Sequence, residues 1–363
     1  MSKGFKIAYR VGIILLACLA AFLMSCVLLV VLGADIGATF YTICILPLTN
    51  SMHLSEVLVR AIPLCILAIG ISVAYRSGIV NIGAEGQMAM GILAFAAVAL
   101  GAPDLPRPIL LPIALLAAVI GGAFWGFIPG FLRAKLKVSE LLSTVMLNYI
   151  AAQFYSFMLR VVMMDPAEMA GGGGTPQTMR LTKNVWLGRI TGRLHYGLII
   201  AIVLAFVIYI LLWKTTIGFK MRAAGAQDRA ARYGGISVPF YLVASMVISG
   251  AFAGLAGGIE IAGVHRRAME GVTNNYGFSA VVVALFGGLH PIGIIPAAFF
   301  FGLMIYGSTL APGMVGVPQN IAKVLQGIII IVIVTAQMVL SNTYLQDRVW
   351  RKWQAFTSRK EVR

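Results

Sequence analysis

Charged residues are scarce in this sequence, and their scarcity excludes a water-soluble globular protein. Asp, Glu, Lys and Arg make up 11% of the 363 residues, whereas a soluble domain carries about 25%. No polar stretch reaches the roughly 50 residues that a small soluble domain needs. Instead, apolar runs of about 20 residues, the length that spans a bilayer as a helix, recur along the chain. The composition therefore predicts an all-α polytopic membrane protein.

Acidic residues and cysteines are few as well. The chain has 12 acidic and 28 basic residues and a net charge of +16, which in a soluble protein would indicate nucleic-acid binding. In a membrane protein, an excess of Lys and Arg is typical of orientation signals, so we expect no nucleic-acid partner. The cysteines stand in apolar surroundings at irregular spacing and are interpreted as small buried hydrophobes. They are Cys18, Cys26, Cys44 and Cys65.

Sequence motifs of catalysis are missing too. The chain contains no G-x-x-x-x-G-K-[ST] phosphate-binding loop and no H-E-x-x-H metal motif. Its four histidines, His53, His195, His265 and His290, have no metal-ligand spacing. These absences exclude a phosphate-binding ATPase motif in this chain and argue against a membrane-embedded enzyme. We therefore predict a protein that is not an enzyme, with no catalytic residue, metal site or cofactor.

Ten apolar runs predict about ten transmembrane helices within a single domain that covers residues 1–363. The first run is longer than the roughly 7–15 residues of a signal-peptide core, so we interpret it as an uncleaved span. The runs are 11–32, 57–75, 79–101, 109–132, 139–162, 196–213, 238–262, 275–289, 291–308 and 321–341.

The placement of basic residues predicts that both termini are cytoplasmic. An even number of spans puts both termini on one side, and most Lys and Arg fall in segments of that side, including the 214–237 loop and the basic tail 342–363. Lys and Arg are enriched in cytoplasmic loops. Six basic residues count against this orientation: Arg180, Lys183, Arg189, Arg193, Arg266 and Arg267.

Two apolar regions are interrupted by glycine and polar residues. The first interruption lies in residues 76–91, RSGIVNIGAEGQMAMG, and the second is 271–277, GVTNNYG. In lipid, backbone groups freed by a break must be paired within the protein or face water, and transporters place such breaks at their substrate sites. The triplets at 81–83 and 275–277 correspond and lie five spans apart, which predicts inverted repeats over about 57–162 and 238–341.

Polar and aromatic residues at these breaks are the candidate lining of a substrate path. An ionisable residue within a membrane faces the bundle interior or a cavity, although Glu85 could instead cap or pair locally, for example with Arg76, and only hold the fold. For Asn148, on the fifth run, the alternative is a hydrogen bond between two helices. The candidates are Asn81, Glu85, Gln87, Asn148, Asn274, Asn275, Tyr276 and Phe278.

The polar loop 214–237 is too long for a simple connector. Its alanines and arginines favour a short surface helix between glycine turns. Such a helix could anchor on lipid headgroups or dock on a cytoplasmic partner. The residues we assign to docking are Gly218, Lys220, Arg222, Gly225, Asp228, Arg229, Arg232 and Gly235.

Two glycine motifs predict close helix packing. Gly122, Gly126 and Gly130 form one G-x-x-x-G-x-x-x-G, and the residues at 250, 254 and 258 form another. Small residues four positions apart let helix backbones approach closely. Packing within one subunit is favoured over dimerisation.

Three segments, taken in order, resemble the permease subunits of bacterial ABC importers of the branched-chain amino acid / simple sugar superfamily. They are RSGIVNIGAEGQMAMG, IGFKMRAAGAQDRAARYGGI and YGFSAVVVALFGGLHPIG, and the resemblance covers about residues 55–340. The first segment is most similar to the nucleoside and simple-sugar group. Sugar permeases often have Asp-Leu-Ser where this chain has Asn81-Ile82-Gly83, and that departure favours a nucleoside.

The resemblance implies a type II ABC importer bundle in the bacterial plasma (inner) membrane, in contact with membrane lipid. It would move nucleosides or simple sugars into the cytoplasm by ATP-driven alternating access. The implied partners are a cytoplasmic ABC ATPase that binds the 214–237 coupling loop, a second permease subunit, identical or homologous, and a substrate-binding lipoprotein or periplasmic protein. The alternative is an ion-coupled secondary transporter of a small polar solute, which would share the breaks but would not need that loop.

Overall fold

The computed structural model is mostly helical and describes residues 3–31, 33–170 and 175–318, with scattered single positions between 321 and 349. It divides into two units. One comprises Met1–Leu48 and Met304–Arg363, and the other comprises Thr49–Leu303. Both breaks and the 214–237 loop lie in the second unit.

The first unit contains helix α1 (Lys3–Val31) and all but the last residue of the apolar helix Ile36–Thr49. Sequence patterns predicted a span within α1 but did not predict the second helix. The latter begins as α2 (Ile36–Phe40), passes through a π-helical turn and ends as α3 (Leu46–Thr49). Asp35 caps its start, since the Oδ1 atom accepts a hydrogen bond of 2.9 Å from the Ala38 N–H. At 14 residues, this apolar segment is shorter than a membrane-spanning run, which is why the pattern missed it.

The second unit is built from the helices that surround the two breaks. Two π-helical turns lengthen two of these helices, α7 (Glu140–Phe157) to Val162 and α12 (Val238–Glu260) to His265. The last helix, α14 (Pro291–Val315), continues into the first unit. The elements are α4 (Ser51–Arg76), α5 (Ala84–Gly101), α6 (Arg107–Leu136), α7 (Glu140–Phe157), α8 (Pro166–Ala170), a hairpin of β1 (Arg189–Thr191) and β2 (Leu194–His195), α9 (Gly197–Lys214), α10 (Thr216–Ala226), α11 (Asp228–Tyr233), α12 (Val238–Glu260), α13 (Tyr276–Phe286) and α14 (Pro291–Val315).

Seven of the described helices are long and apolar enough to cross a membrane: α4, α5, α6, α7, α9, α12 and α14, counted with the π turns of α7 and α12. The run at 275–289 forms only the 11-residue α13, which is about 16 Å long and too short to span a bilayer. The run at 321–341 and the tail 342–363 lie almost wholly outside the described residues. The count of ten spans therefore stays a prediction.

Helix α4 forms the centre of the second unit. It is the most buried of the seven long helices and contacts α9, α10, α12 and α13. The peripheral helices α6, α7 and α9 instead expose large apolar side chains such as Leu116, Ile150 and Val203. An apolar surface of this extent is suited to lipid contact.

Glycines bring the backbones of α6 and α12 into direct contact. A Cβ atom on Gly122 would lie 2.2 Å from the Gly250 carbonyl oxygen, and one on Gly254 would lie 2.0 Å from the Ala118 carbonyl oxygen. Only glycine fits at such distances. The interpretation that these motifs pack helices within one subunit is confirmed.

We expect Gly254→Ala to lower the free energy of unfolding by about 1–3 kcal/mol, because the added methyl group meets backbone that cannot rotate away. The apparent melting temperature of the purified protein in detergent measures this effect. Gly101→Ala is the matched control, because no atom lies within 4 Å of the position its Cβ would occupy. Equal melting temperatures for the two variants would contradict the packing.

Candidate functional site

The first break separates α4 from α5. Gly78, at φ +81°, ends α4 in a left-handed conformation. The Gly78 N–H donates to the Tyr75 carbonyl, and the Ile79 N–H donates to the Ala74 carbonyl, so the helix end is closed by its own backbone. The predicted run 79–101 is therefore helical only from Ala84 onwards.

Asn81, within this break, and Gln87, in the first turn of α5, are both buried and stabilise the break by hydrogen bonds. The Asn81 Oδ1 atom accepts a hydrogen bond of 2.9 Å from the Gly83 N–H. Its Nδ2 atom donates to Gln87 Oε1 at 2.9 Å and to Ser249 Oγ on α12 at 2.8 Å. These contacts satisfy both side chains within the protein, and neither side chain lines the cavity described below.

Asn148, on α7, joins two helices across the same break. Its Oδ1 atom accepts from the Gly86 N–H and its Nδ2 atom donates to the Ile82 carbonyl, both at 2.9 Å. One side chain thus satisfies a donor at the start of α5 and an acceptor in the break itself. The interhelical role considered for Asn148 is confirmed, and the residue also lies on the cavity wall.

The second break meets the first at Glu85. Asn274 and Asn275 adopt left-handed backbone conformations just before α13 begins. The Asn275 N–H donates to Glu85 Oε1 at 3.1 Å, and the Gly277 N–H donates to Oε2 at 2.7 Å. A carboxylate at a helix N-terminus is favourably placed for the free N–H groups and the helix dipole. Glu85 therefore caps the opposite break and does not pair with Arg76.

A cavity of about 970 Å³ lies beside this junction, at the upper end of the size range of small-molecule sites. Its wall includes four of the eight residues predicted to line a substrate path: Glu85, Asn148, Asn275 and Phe278. Their contact with a solute stays a prediction. Tyr276 is buried and its side chain is hydrogen-bonded to Asn274, and neither of these two residues belongs to the wall. Sequence analysis missed Tyr149, Gln153, Tyr155, Ser156, Phe157, Arg160, Glu270 and Thr273.

The missed residues on α7 share a spacing that could have revealed them. Tyr149, Gln153 and Phe157 follow one another at intervals of four, so they form one helix face with Asn148. An aromatic and polar stripe on an apolar helix is the available signal. This signal identifies cavity-lining residues only once the helices that face the stripe are known.

An ion pair stands at the edge of the cavity. The Ser156 hydroxyl donates to Glu270 Oε1 at 2.6 Å, and Arg160 Nη2 lies 2.9 Å from Oε2. The Ser156 hydrogen bond and the Arg160 guanidinium lower the pKa of Glu270, which therefore carries its negative charge at neutral pH.

The loop 214–237 folds as two short helices, α10 and α11, where one had been expected. Gly218 packs on the α9 backbone, and Gly235, at φ +74°, ends α11, so glycines do bound the segment. Ala224 and Ala231 are buried with Val238, while Asp228 and Arg232 form an exposed ion pair with N–O distance 2.6 Å. The segment is thus packed on one side and leaves charged groups accessible on the other. Lys220, Arg229 and Tyr233 are also exposed.

Apolar helices whose breaks meet beside a cavity are typical of the membrane domains of transporters. Residues 53–334 match the family described as branched-chain amino acid transport system / permease component. The chain belongs to this family. It is a multi-pass ABC transporter permease subunit, and the ion-coupled alternative is not favoured.

Three relatives illustrate the breadth of the match. The chain is 33% identical to the glucose ABC transporter permease protein TsgB13 of Haloferax volcanii, over 90% of this chain and 87% of the relative. It is 35% identical to the nucleoside ABC transporter permease protein NupB of Lactococcus lactis, over 88% and 90%. It is 36% identical to the guanosine ABC transporter permease protein NupP of Bacillus subtilis, over 78% and 81%.

We expect Asn148→Ala to lower the free energy of unfolding by about 1–3 kcal/mol, because it leaves the Gly86 N–H and the Ile82 carbonyl without their partner. Gln153→Ala is the matched control on the same helix, since that side chain is exposed on the cavity wall. Melting temperatures in detergent measure both effects. If the two variants melt alike, Asn148 does not secure the break.

Proposed function

We propose that this permease subunit belongs to an ABC importer of the bacterial plasma membrane and passes a nucleoside through the cavity at the two breaks. A simple sugar is the second candidate, because a relative is named for glucose transport. The single observation that carries the proposal is the cavity itself, which adjoins both breaks and the carboxylate that joins them.

The cavity wall suits a neutral solute with an aromatic ring. Tyr149, Phe157 and Phe278 offer exposed aromatic surface, and Gln153 carries an exposed neutral amide. Aromatic faces stack on heterocyclic bases, and amides donate and accept hydrogen bonds. The names of two relatives, for nucleoside and guanosine transport, agree with this chemistry.

The proposed mechanism is alternating access driven by a separate ATPase. The exposed side of α10 and α11 docks on a cytoplasmic ABC ATPase. Both termini lie in the cytoplasm as well, since the distribution of Lys and Arg favours one side for these segments. A second permease, identical or homologous, completes the pore, and a substrate-binding lipoprotein or periplasmic protein delivers the solute. Closure of the ATPase pair moves α10 and α11, and the breaks change the side to which the cavity opens. The corresponding triplets at the breaks, five runs apart, support inverted repeats over about 57–162 and 238–341.

Docking is tested at Ala230, which is exposed on α11. We expect Ala230→Glu to reduce uptake per ATP hydrolysed by about tenfold, since a bulky negative group would face the ATPase within a basic segment. The measurement uses proteoliposomes with the permease, ATPase and binding protein. Ala230→Ser is the position-matched control. Unchanged coupling in the Glu variant would refute docking. Ala223 is a poorer site for this test because its side chain is partly buried.

The substrate class is tested at Phe278. We expect Phe278→Leu to slow nucleoside uptake in the same proteoliposomes by about fivefold, because leucine keeps apolar volume but loses the stacking face. Phe206→Leu is the control, since Phe206 is similarly exposed on α9 but does not line the cavity. Slowed uptake of a simple sugar, with nucleoside uptake undetectable in the wild type, would overturn the nucleoside assignment in favour of the sugar.

A further inference from the structure

Basic and aromatic side chains from several elements meet around Trp213, near the end of α9. The guanidinium carbon of Arg76, at the end of α4, lies 5.4 Å from the centroid of the Trp213 ring, and that of Arg222, on α10, lies 5.6 Å from it. The His290 ring, next to α14, lies 4.7 Å away. Both cations are within cation–π range. This cluster, which we call the Trp213 cluster, thus connects α10 with α4 and with the start of α14.

Arg76 also forms hydrogen bonds with the turn that follows α13. Its Nε atom donates to the Leu289 carbonyl at 3.1 Å, and its Nη2 atom donates to the Gly288 carbonyl at 3.0 Å. Both acceptor residues have positive φ angles, +66° for Gly288 and +53° for Leu289, and a left-handed leucine is uncommon. The rigid fork of an arginine matches two neighbouring carbonyls in a way that a lysine cannot.

Helix α10 contacts the first break directly as well. A Cβ atom on Gly225 would lie 2.4 Å from the Arg76 carbonyl oxygen and 2.6 Å from the Gly78 nitrogen. The end of α10 therefore rests on the backbone where α4 ends. Gly225 of α10 thus contacts the first break. Arg222 of α10 contacts Trp213, which in turn contacts Arg76, the residue bonded to the turn after α13.

Helix α13 is thus held at both ends by side chains of the first break region. Glu85 accepts hydrogen bonds from the Asn275 and Gly277 N–H groups at its start, and Arg76 donates to the turn at its end. With only 11 residues between these anchors, a hydrogen-bonded helix moves as one piece. Phe278, in its first turn, lies on the cavity wall.

We propose that Arg76 is a positioning residue that carries the movement of α10 to α13 and so to the cavity wall. The proposal rests on the proposed docking of α10 and α11 on an ATPase. When α10 moves, the Trp213 cluster moves Arg76, and Arg76 pulls the 288–289 turn and with it α13. Coupling then depends on a side chain that contacts neither the solute nor the ATPase.

The test replaces Arg76 in the complete transporter. Arg76→Met keeps the apolar stem and removes both the fork and the charge, so we expect the ATPase to remain bound and to hydrolyse ATP while uptake per ATP falls about tenfold. Arg76→Lys keeps the positive charge but replaces the planar fork by a single ammonium group, so it should show part of the coupling that Arg76→Met loses. Arg133→Met is the matched control, because Arg133 also lies in the last turn of a helix and makes one partly exposed ion pair, with Glu140.

A second measurement follows α13 itself. Hydrogen–deuterium exchange of the 276–290 segment should change when the wild-type transporter is trapped with ATP and vanadate, and should not change in Arg76→Met. A merely structural role would alter exchange equally in both nucleotide states. Full coupling and a normal exchange response in Arg76→Met would overturn the proposal.

A third variant covers the case in which Arg76→Met does not fold. Trp213→Leu leaves the Arg76 hydrogen bonds in place and removes the ring that both Arg76 and Arg222 contact, so it should uncouple transport in the same way. Full coupling in Trp213→Leu would then overturn the proposal. Failure of the docking hypothesis is recognised separately, because Ala230→Glu would leave coupling unchanged whatever the Arg76 variants do.

Discussion

One carboxylate holds the two breaks of this permease together. Glu85 accepts the first N–H groups of α13 while itself lying in the first turn of α5. Within a bilayer such groups have no water to bond, and each one left unpaired costs several kcal/mol. The pairing allows the short helix α13 to begin inside the bundle. Asn81 and Asn148 likewise make hydrogen bonds to backbone groups in and next to the first break.

Sequence patterns located the breaks but not the bonds that stabilise them. Glycine, asparagine and one glutamate stand out from an apolar background, so their positions could be predicted from local chemistry. Their partners could not, because the Glu85 bonds join residues 190 and 192 positions apart and the Asn148 bonds join residues 62 and 66 apart. For the same reason the α7 stripe around Gln153 was missed. A stripe defines a helix face, whereas only the packing of other helices decides what that face meets.

The structure contrasts a seam of two long helices with a short helix whose ends are held by side chains. Along α6 and α12 the glycines at 122, 250 and 254 put backbone against backbone, and close-packed contacts of this kind leave no room for sliding. At its two ends α13 is anchored by single side chains, Glu85 and Arg76. Bundles that change state by small displacements combine a fixed frame with elements that move against it. The position of α13 on the cavity wall makes it the element whose displacement would alter the cavity most directly.

The bonding of Glu85 also bears on the chemistry of the transported solute. Both carboxylate oxygens already accept backbone hydrogen bonds, and the Thr273 side chain adds another. A carboxylate engaged in this way has few lone pairs left for a cationic ligand. At the cavity edge the negative charge of Glu270 is balanced by the positive charge of Arg160. What the wall offers freely is aromatic surface and the amide of Gln153. Its recognition chemistry therefore favours a neutral ring with hydrogen-bonding groups over a zwitterionic amino acid, although the family is described by branched-chain amino acid transport.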